Sequence, residues 1–416
     1  MVRRAFLHVG LPKSGTTYLQ AVIGRNKARL AERAGLLYPG ESWGAQVDAV
    51  RDLRHLKVSV EQRPAVRGAW DRLVAEIRQW PGDSLVSMEW LCMASPDQIA
   101  RIASDLAGTE VHVVFTVRDI ARTVPAAWQE FMQNRAVWQW PEFLEQISCP
   151  DARDSAAGAT FWKQQDVEML LGNWSPICSP EQVHVISLPQ SGGEPGELWR
   201  RMATVLAIDP DGYELDDLGV NASLGRESAE LMRRVNEQVV ERRVSLTTYN
   251  RVFKRGLAKT VLAGRREQEG KVVLPPAYHD WARDLAEQQI GAIKASGVNV
   301  VGSLDELRPQ LDASAQTTDE PSVEGILEAG VLGLAALAIS QAELVEARAA
   351  ALHRVEAELE RSNRANAELR ADIERRSSRP VRQALIDTSA RHPVLHRARV
   401  GYWKAVDAGR RLRRST

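Results

Sequence analysis

The sequence predicts an α/β domain, a parallel sheet with helices on both faces, followed by a helical extension. Short apolar runs that suit strands alternate with segments in which apolar residues recur at helical spacing. The first of these runs leads into a glycine-containing loop that opens a helix. The chain has 416 residues, of which 44% are hydrophobic and 26% are charged. This length and composition suit one large soluble domain with additional segments.

The predicted sheet rests on four strands, at residues 5–10, 84–90, 111–117 and 183–188. The third, VHVVFTV, is the richest in the β-branched residues that strands favour. Helical spacing predicts helices at 16–33, 120–135, 198–206 and 224–242, the last with Asn221 or Ser223 as its cap. Short buried strands that alternate with helices are typical of a parallel sheet covered on both faces.

The first strand runs into the loop Leu11–Gly15, and a helix is expected to start near Thr16. The first amides of a helix have no partner within it, so this arrangement presents N–H groups to an anion. Gly10 and Gly15 would let the backbone turn and approach the ligand closely. We therefore expect a phosphate on the backbone amides of Ser14, Gly15, Thr16 and Thr17. A plain strand-to-helix turn would not explain Lys13 beside three hydroxyl side chains.

The position of Lys13 separates this loop from the one that binds ATP or GTP. In G-x-x-x-x-G-K-[ST] the lysine follows the second glycine, and the next hydroxyl holds Mg²⁺. Here the sequence is G-L-P-K-S-G-T-T, with Lys13 before Gly15. The loop is therefore expected to hold a phosphate without a dedicated metal site.

The opening FLHVGLPKSGTTYLQ, residues 6–20, resembles the 5′-phosphosulfate loop of bacterial (actinobacterial-type) sulfotransferases. These enzymes use 3′-phosphoadenosine-5′-phosphosulfate (PAPS) as the sulfuryl donor. Residues 221–236 and 298–309 resemble closing segments of the same group, so the resemblance covers roughly residues 3 to 309. It implies a P-loop sulfotransferase fold, PAPS as co-substrate, and a catalytic role for Lys13 in stabilising the leaving phosphate.

A second basic site is expected because PAPS also carries a 3′-phosphate. Residues 111–130 resemble the family's 3′-phosphate segment, in which an Arg ends a strand and a Ser follows eight residues later. Arg118 matches that Arg, at the sheet edge where such folds bind ligands. Position 126 is Ala, and Thr123 is a nearby hydroxyl on the same helix, which leaves the partner of Arg118 open. The alternative for Arg118 is a salt bridge with Asp119.

Transfer to a hydroxyl needs a general base, and Glu89 in SLVSMEWLC is the first candidate. Glu89 ends a predicted strand, so it is expected at the same sheet edge as Lys13. Bacterial relatives often have a Ser-His-Glu stretch here, whereas this chain has Met88. The alternatives for Glu89 are a helix N-terminal carboxylate or a structural salt bridge, and His55 is the second candidate base. His8 lies in mid-strand and is expected to be packed.

The expected function is metal-independent transfer of a sulfuryl group from PAPS to a hydroxyl of a glycan, glycolipid or small molecule. Two other hypotheses stay open: a P-loop kinase-like phosphotransferase and an inactive nucleotide-binding scaffold. The displaced lysine argues against the kinase, whereas Ala126 and Met88 keep the scaffold hypothesis open. The chain has twelve tryptophans, which could stack on a sugar, but each is better explained as a core residue.

The net charge of zero hides a basic tail. Residues 375–416 contain twelve Arg or Lys and two Asp, interspersed with apolar and aromatic residues. Such a segment suits an anionic membrane surface, an acidic partner or a polyanion, and a solvated helical tail is the alternative. No nucleic-acid recognition motif accompanies the charge, so no nucleic-acid partner is expected.

Three cysteines without CxxC spacing and an N-terminus without a secretory pattern predict a cytoplasmic protein, with the tail as a contact to the inner membrane face.

The chain is expected to have four parts: a sulfotransferase-like domain at 1–310, a linker at 311–324, a helical segment at 325–374 and the basic tail at 375–416. The apolar run at 329–339 has eleven residues. A membrane span needs about 20, so a buried or interfacial helix is expected there.

The helical segment contains a short heptad pattern between 341 and 374. One seam comprises Val345, Leu352, Leu359, Asn366 and Ile373, with Val355 and Leu369 at the companion position. Arg348 and Ser362 weaken the companion seam. An Asn in such a seam often fixes the register of a dimer, so a homodimer through 341–374 is one prediction. The alternative is a solvated single helix or an αα-hairpin.

Overall fold

The computed structural model describes residues 2–190, 192–216, 223–311, 320–377 and 381–412. The chain forms two compact units, one that extends to Leu337 and one that begins at Ala338. The α/β domain was expected to end at 310, whereas the first unit also includes the first turns of the long helix Val323–Ser377.

A six-stranded sheet forms the centre of the first unit. Its strands are β1 (Arg4–Gly10), β2 (Leu36–Leu37), β3 (Asp83–Ser87), β4 (Glu110–Val117), β5 (Val183–Ser187) and β6 (Asn299–Val301). Neighbouring strands pair in parallel, in the order β2-β3-β1-β4-β5-β6. The predicted α/β class, a parallel sheet flanked by helices with a helical C-terminal extension, is therefore confirmed.

Helices connect the strands and form the extension. In the described residues they are α1 (Thr16–Arg25), α2 (Lys27–Ala34), α3 (Trp43–Leu53), α4 (Arg63–Val66), α5 (Ala69–Gln79), α6 (Pro96–Asp105), α7 (Ile120–Gln133), α8 (Trp140–Ser148), α9 (Ala156–Gln165), α10 (Val167–Trp174), α11 (Glu197–Leu206), α12 (Arg226–Glu241), α13 (Leu246–Tyr249), α14 (His279–Ser296), α15 (Val323–Ser377), α16 (Val381–Ala390) and α17 (Pro393–Leu412). A π-helical segment, Asn250–Lys259, follows α13, and a 3₁₀ segment, Glu89–Met93, follows β3.

Helices cover both faces of the sheet because side chains alternate along each strand. On one face, Ala5, Leu7 and Val9 of β1 join a core with α3, α5, α6, α10 and α14. On the other face, Phe6 packs with α1, α2 and α11. A third apolar cluster lies among α7, α8, α9 and α12 and contains Trp128.

The carboxyl ends of β1, β3 and β4 bring the predicted site segments to one edge of the sheet. β1 lies between β3 and β4. The loop after β1, Glu89 after β3 and Arg118 after β4 therefore start from neighbouring strand ends. This is the edge at which open parallel sheets bind their ligands.

His8 packs within the sheet, as predicted. Its Nδ1 lies 2.7 Å from Ser87 Oγ, and its Nε2 lies 3.3 Å from Thr116 Oγ1. Burial lowers the pKa of His8 to about 4. The neutral imidazole therefore connects β3, β1 and β4 and has no exposed atom to offer a substrate.

Three predicted elements differ from the structure. The strand predicted at 84–90 ends at Ser87, and Glu89 is the first residue of the 3₁₀ segment. The single helix predicted at 16–33 is wrong, because α1 ends at Arg25 and α2 begins at Lys27. At the break, the amide of the Asn26 side chain donates to the carbonyl oxygens of Val22 and Glu214, at 2.8 and 2.9 Å. α12 begins behind Gly225 rather than at a cap in 221–223, and Asn221 lies outside the described residues.

The first turns of α15 pack on the first unit. A Cβ on Gly333 would lie 2.6 Å from Leu257 Cδ1, and Glu328 pairs with Arg265 at 3.4 Å. Within the described residues, α15 contains an 18-residue window with a mean hydropathy of 1.7, apolar and long enough to cross a membrane, and 17% of it is buried. The apolar stretch is thus longer than 329–339, although one side of it contacts the protein.

The basic tail is helical where it is described. α16 and α17 pack against each other, and the Arg399 guanidinium donates to Ile386 O and Ser389 Oγ, both at 2.8 Å. The tail therefore forms a helical pair with charged residues along it.

Candidate functional site

The loop after β1 has the geometry of an anion cradle. Gly15 precedes α1 with a φ of +88°, and a Cβ there would lie 2.5 Å from Leu198 Cδ2. Only glycine fits at this position. Among the hydrogen bonds of the described residues, the backbone amides of Ser14, Gly15, Thr16 and Thr17 donate none. These four N–H groups are the ones that the sequence assigns to a phosphate.

The hydroxyl of Ser14 braces the loop instead of facing the cradle. It donates to Leu11 O and lies 2.6 Å from Thr116 Oγ1 of β4. Thr116 in turn donates to Gly10 O at 3.3 Å. Ser14 is fully buried, so it offers a ligand its amide but not its side chain.

Lys13 stands at the centre of the edge and forms an ion pair with Glu130 of α7. Its φ of +69° is unusual for a residue with a side chain, and such positions occur often at functional sites. Burial pushes the pKa of the Glu130 carboxyl up, but Lys13, Lys254 and Lys259 outweigh burial, and the pKa is lowered. Glu130 is therefore an anion that pairs with Lys13. No motif in the sequence indicated a role for Glu130.

Arg118 follows the last residue of β4, where the sequence placed it. Its guanidinium donates to Lys13 O at 3.4 Å, while its buried Nε has no acceptor in the described structure. The pKa of Arg118 is lowered to about 10, chiefly by burial and then by the neighbouring Arg122, while Asp119 opposes both. Asp119 forms its ion pair with Arg122. Arg118 is thus a half-buried cation whose buried Nε lacks an acceptor among the described residues, and Asp119 pairs with Arg122 instead, which favours an anionic ligand over the salt bridge with Asp119.

A cavity of 470 Å³ opens beside these residues. Five basic residues line it, and no Asp or Glu does so within the described ranges: Lys13, Arg118, Arg122, Arg266 and Lys271. A cavity of this size and charge suits a ligand that carries more than one anionic group.

The hydroxyl partner of Arg118 is not Thr123. The Thr123 hydroxyl donates to Asp119 O at 2.8 Å inside its own helix. Ala126 lines the cavity without a polar side chain, whereas Ser223 also lines it and carries a hydroxyl. The structure therefore offers Ser223 where the sequence left this position open.

Arg266 and Lys271 were missed by the sequence analysis. They lie in the segment between the π-helical residues and α14, and they reach the cavity through the packing of that segment. The stretch RREQEGKVV has basic residues and a glycine but no period or motif that would point to a phosphate.

Glu89 lies beside the loop, as its place after β3 predicted. A Cβ on Gly10 would lie 3.2 Å from Glu89 O, so the two backbones are in close contact. The Gln20 side-chain amide donates to Glu89 Oε2 at 2.7 Å. The pKa of the Glu89 carboxyl is raised, chiefly by burial and also by the nearby Glu130. The hydrogen bond from Gln20 and the charge of Lys13 oppose this rise. A carboxylate with a raised pKa near a reactive edge is suited to accept a proton.

Among the described residues, no hydrogen bond or ion pair joins His55 to Lys13, Glu89 or Arg118. It follows α3 with a φ of +52° and is exposed, whereas Lys13, Glu89 and Arg118 are partly or largely buried. Its neighbour Arg54 contacts the edge by donating to Trp90 O at 3.1 Å. The geometry favours Glu89 over His55 as the base.

The tryptophans in α7 and in the segment after it belong to the core. Trp128 donates from its indole N–H to Trp138 O at 3.0 Å. Trp138 and Trp140 pack on Phe143 with ring centroids 6.4 and 6.0 Å apart. This agrees with the core interpretation made from the sequence.

No protein-family model and no curated protein matches the chain. Two solved structures resemble it. One is the crystal structure of a sulfotransferase from Alicyclobacillus acidocaldarius, at 15% identity and a TM-score of 0.36, covering 60% of this chain and 100% of that one. The other is the sulfotransferase domain from the curacin biosynthetic pathway, at 14% identity and a TM-score of 0.29, covering 53% of this chain and 81% of that one. Similarity this low carries no argument about activity, so the assignment depends on the site residues.

Proposed function

We propose that the protein is a sulfotransferase that moves a sulfuryl group from PAPS to a hydroxyl of a glycan, glycolipid or small-molecule acceptor, without a metal ion. The observation that carries the proposal is the cavity lined by five basic residues next to a cradle of unpaired amides. Together they provide two anion sites joined through Lys13. PAPS is a nucleotide with anionic groups at both its 5′ and 3′ ends.

In this proposal the 5′-phosphosulfate lies on the amides of residues 14–17 and the 3′-phosphate contacts Arg118. The side chain of Arg118 lines the cavity, and Arg266 and Lys271 add positive charge at the same cavity. Ser223 would supply the hydroxyl that position 126 lacks.

The transfer breaks the bond between sulfur and the bridging phosphate oxygen and forms a bond between sulfur and the acceptor oxygen. Charge grows on the phosphate oxygen as the bond breaks, and the Lys13 ammonium is proposed to stabilise it. The Glu89 carboxylate takes the proton of the acceptor hydroxyl. The products are adenosine 3′,5′-bisphosphate and a sulfate ester.

Glu130 has a supporting role in this scheme. In this scheme Lys13 leaves Glu130 to reach the bridging oxygen, so the partly exposed Glu130 carboxylate loses this partner. Lys254 and Lys259 act on the same carboxylate, and Lys254 also bonds to Asn134 one turn along α7. They are placed to compensate Glu130 once Lys13 has moved.

Arg118→Met is expected to weaken the binding of adenosine 3′,5′-bisphosphate by roughly 10- to 150-fold, the effect of about 1.5–3 kcal/mol for a hydrogen bond to a charged group. Calorimetry should show little change for adenosine 5′-monophosphate, which lacks the 3′-phosphate. The exposed Arg283 gives the matched control Arg283→Met. Equal losses for both nucleotides would mean that Arg118 does not read the 3′-phosphate.

The kinase-like hypothesis is tested with the same method on the unmodified chain. The proposal expects adenosine 3′,5′-bisphosphate to bind without Mg²⁺ and more tightly than ATP with Mg²⁺. Tight binding of ATP with Mg²⁺ alone would contradict it. Binding of the bisphosphate without any transfer would favour the scaffold hypothesis.

We further propose a cytoplasmic location in which the basic tail contacts an anionic membrane surface. α16 and α17 combine arginines with exposed Leu395, Tyr402 and Trp403. The protein should float with vesicles that contain phosphatidylglycerol and not with neutral phosphatidylcholine vesicles. A chain that ends at 374 should lose this binding, and flotation that persists in it would assign the contact to another segment.

A further inference from the structure

The part of α15 in the second unit presents a regular row of exposed apolar side chains. Val345, Leu352, Leu359 and Ile373 occur at spacings of seven, with Val355 and Leu369 at the companion position, as the sequence predicted. The helix is continuous through all of them. Each of these side chains is 58–64% exposed.

The seven-residue repeat also extends toward the N-terminus of α15, beyond the range 341–374. Counting back by seven meets Ala338 and Gln341, and then Leu327, Val331 and Leu334, which lie in the first turns of α15. These three side chains are 59–71% exposed. The opposite side of these turns packs on the first unit through residues such as Ile326 and Ala329, which are buried. The seam therefore runs from Leu327 to Ile373, a length of about 70 Å at 1.5 Å per residue.

The charged residues of the helix occupy mainly the other positions of the heptad. Between Leu327 and Arg375, nine charged residues fall outside the seam and outside the positions that flank it: Glu343, Glu346, Arg354, Glu360, Arg361, Arg364, Glu368, Glu374 and Arg375. Five flank the seam, namely Glu328, Glu356, Glu358, Arg370 and Asp372, and Arg348 lies in it. Most of the charge therefore lies away from the a and d positions, as in a helix that pairs along one stripe, although the exposed apolar residues Leu332, Ile339 and Leu344 also lie outside the seam. A solvated single helix does not require such a division.

The apolar area available on the seam approaches that of a standard interface. A buried Val or Leu removes about 60–120 Å² of apolar surface from water. Nine large apolar seam residues, each 58–71% exposed, would therefore bury about 350–700 Å² per copy. Flanking residues add to this, and a standard interface buries about 800 Å² per partner.

We infer that α15 pairs with α15 of a second copy of this chain as a parallel, in-register coiled coil from Leu327 to Ile373. The partner must repeat the same seven-residue period over the same length, which a second copy does. Asn366 lies in the seam, and in a parallel in-register pair it meets Asn366 of the other copy, where two amides can hydrogen-bond. Arg348 can extend its guanidinium out of the interface along its apolar stem.

The inference is tested on the full chain by light scattering after size exclusion. The unmodified protein should have twice the chain mass of 46.2 kDa. A double variant, Leu352→Lys with Leu359→Lys, should have the mass of one chain, because charges then meet inside the seam. The matched control, Ala350→Lys with Ala357→Lys, places the same charges at the same spacing on the outer face and should stay dimeric. Because all four residues are exposed on the helix, the first unit should fold in every variant.

Orientation is tested by cross-linking. Leu359→Cys should give a disulfide-linked dimer on mild oxidation, whereas Ala357→Cys and the unmodified chain should not. A monomeric unmodified chain, a dimer that survives the Leu→Lys changes, or no cross-link at Leu359→Cys would overturn the inference. A chain that is monomeric in buffer but floats with vesicles through residues 323–340 would assign the apolar helix to a membrane instead. None of these outcomes depends on whether the protein transfers sulfate.

Discussion

Lys13→Met is expected to lower the rate of sulfuryl transfer by about 100- to 1000-fold, the effect of removing one preorganised group that stabilises charge in a transition state. Methionine keeps the length and the apolar stem of lysine but not its charge. The four amides of the cradle remain, so the affinity for adenosine 3′,5′-bisphosphate should fall far less than the rate. Single-turnover transfer and calorimetry together separate the two effects.

The control for this variant is Lys294→Met, which removes an exposed lysine from the last turn of α14. Its transfer rate should equal that of the unmodified chain. The Lys13–Glu130 ion pair is partly exposed, so its loss should change the melting temperature little. If Lys13→Met lost nucleotide binding and transfer in equal measure, Lys13 would be a ligand for the donor rather than the group that stabilises the leaving oxygen.

Glu89→Gln is expected to lower kcat/KM by about 100- to 10,000-fold, the range that general-base catalysis contributes. Glutamine has the same shape and can still accept the hydrogen bond from Gln20, so the loop geometry should survive. Donor binding should therefore be unchanged. Full activity in the variant would remove Glu89 from the role of base and make Glu130 the next carboxylate to test.

The pH dependence follows from the same residue. Burial raises the pKa of Glu89, and the base must be ionised to act. Activity should therefore fall as the pH decreases through this raised pKa, at a higher pH than an exposed Glu would give. The folded state also holds this proton more tightly than the unfolded state, so stability should decline as the pH rises from the usual Glu pKa through the raised one. Glu89→Gln should abolish that decline in melting temperature against pH.

The central strands of the sheet could be predicted because each is long enough to form a recognisable apolar run in the sequence. β1, β3, β4 and β5 each contain five or more residues with a marked apolar run. β2 and β6 have two and three residues and form only by pairing at the two ends of the sheet. Strands this short have no period in the sequence, and both were missed.

The site could be predicted where strand order decides the position of a residue. Lys13, Glu89 and Arg118 all follow strands, and parallel strands put their carboxyl ends at one edge. Glu130 lies in mid-helix and meets Lys13 only because of how α7 packs against the sheet. The Ser14 hydroxyl likewise contacts Thr116 only because β4 pairs beside β1, so its inward orientation could not be predicted from the loop sequence.

The central claim is tested most directly by transfer of ³⁵S from labelled PAPS to a mixture of glycan and lipid extracts. The account predicts a labelled sulfate ester with the unmodified chain and with Lys294→Met, a loss of about 100-fold or more with Lys13→Met, and no requirement for Mg²⁺. A chain that binds adenosine 3′,5′-bisphosphate but labels no acceptor, or a Lys13→Met variant that labels as well as the unmodified chain, would contradict it.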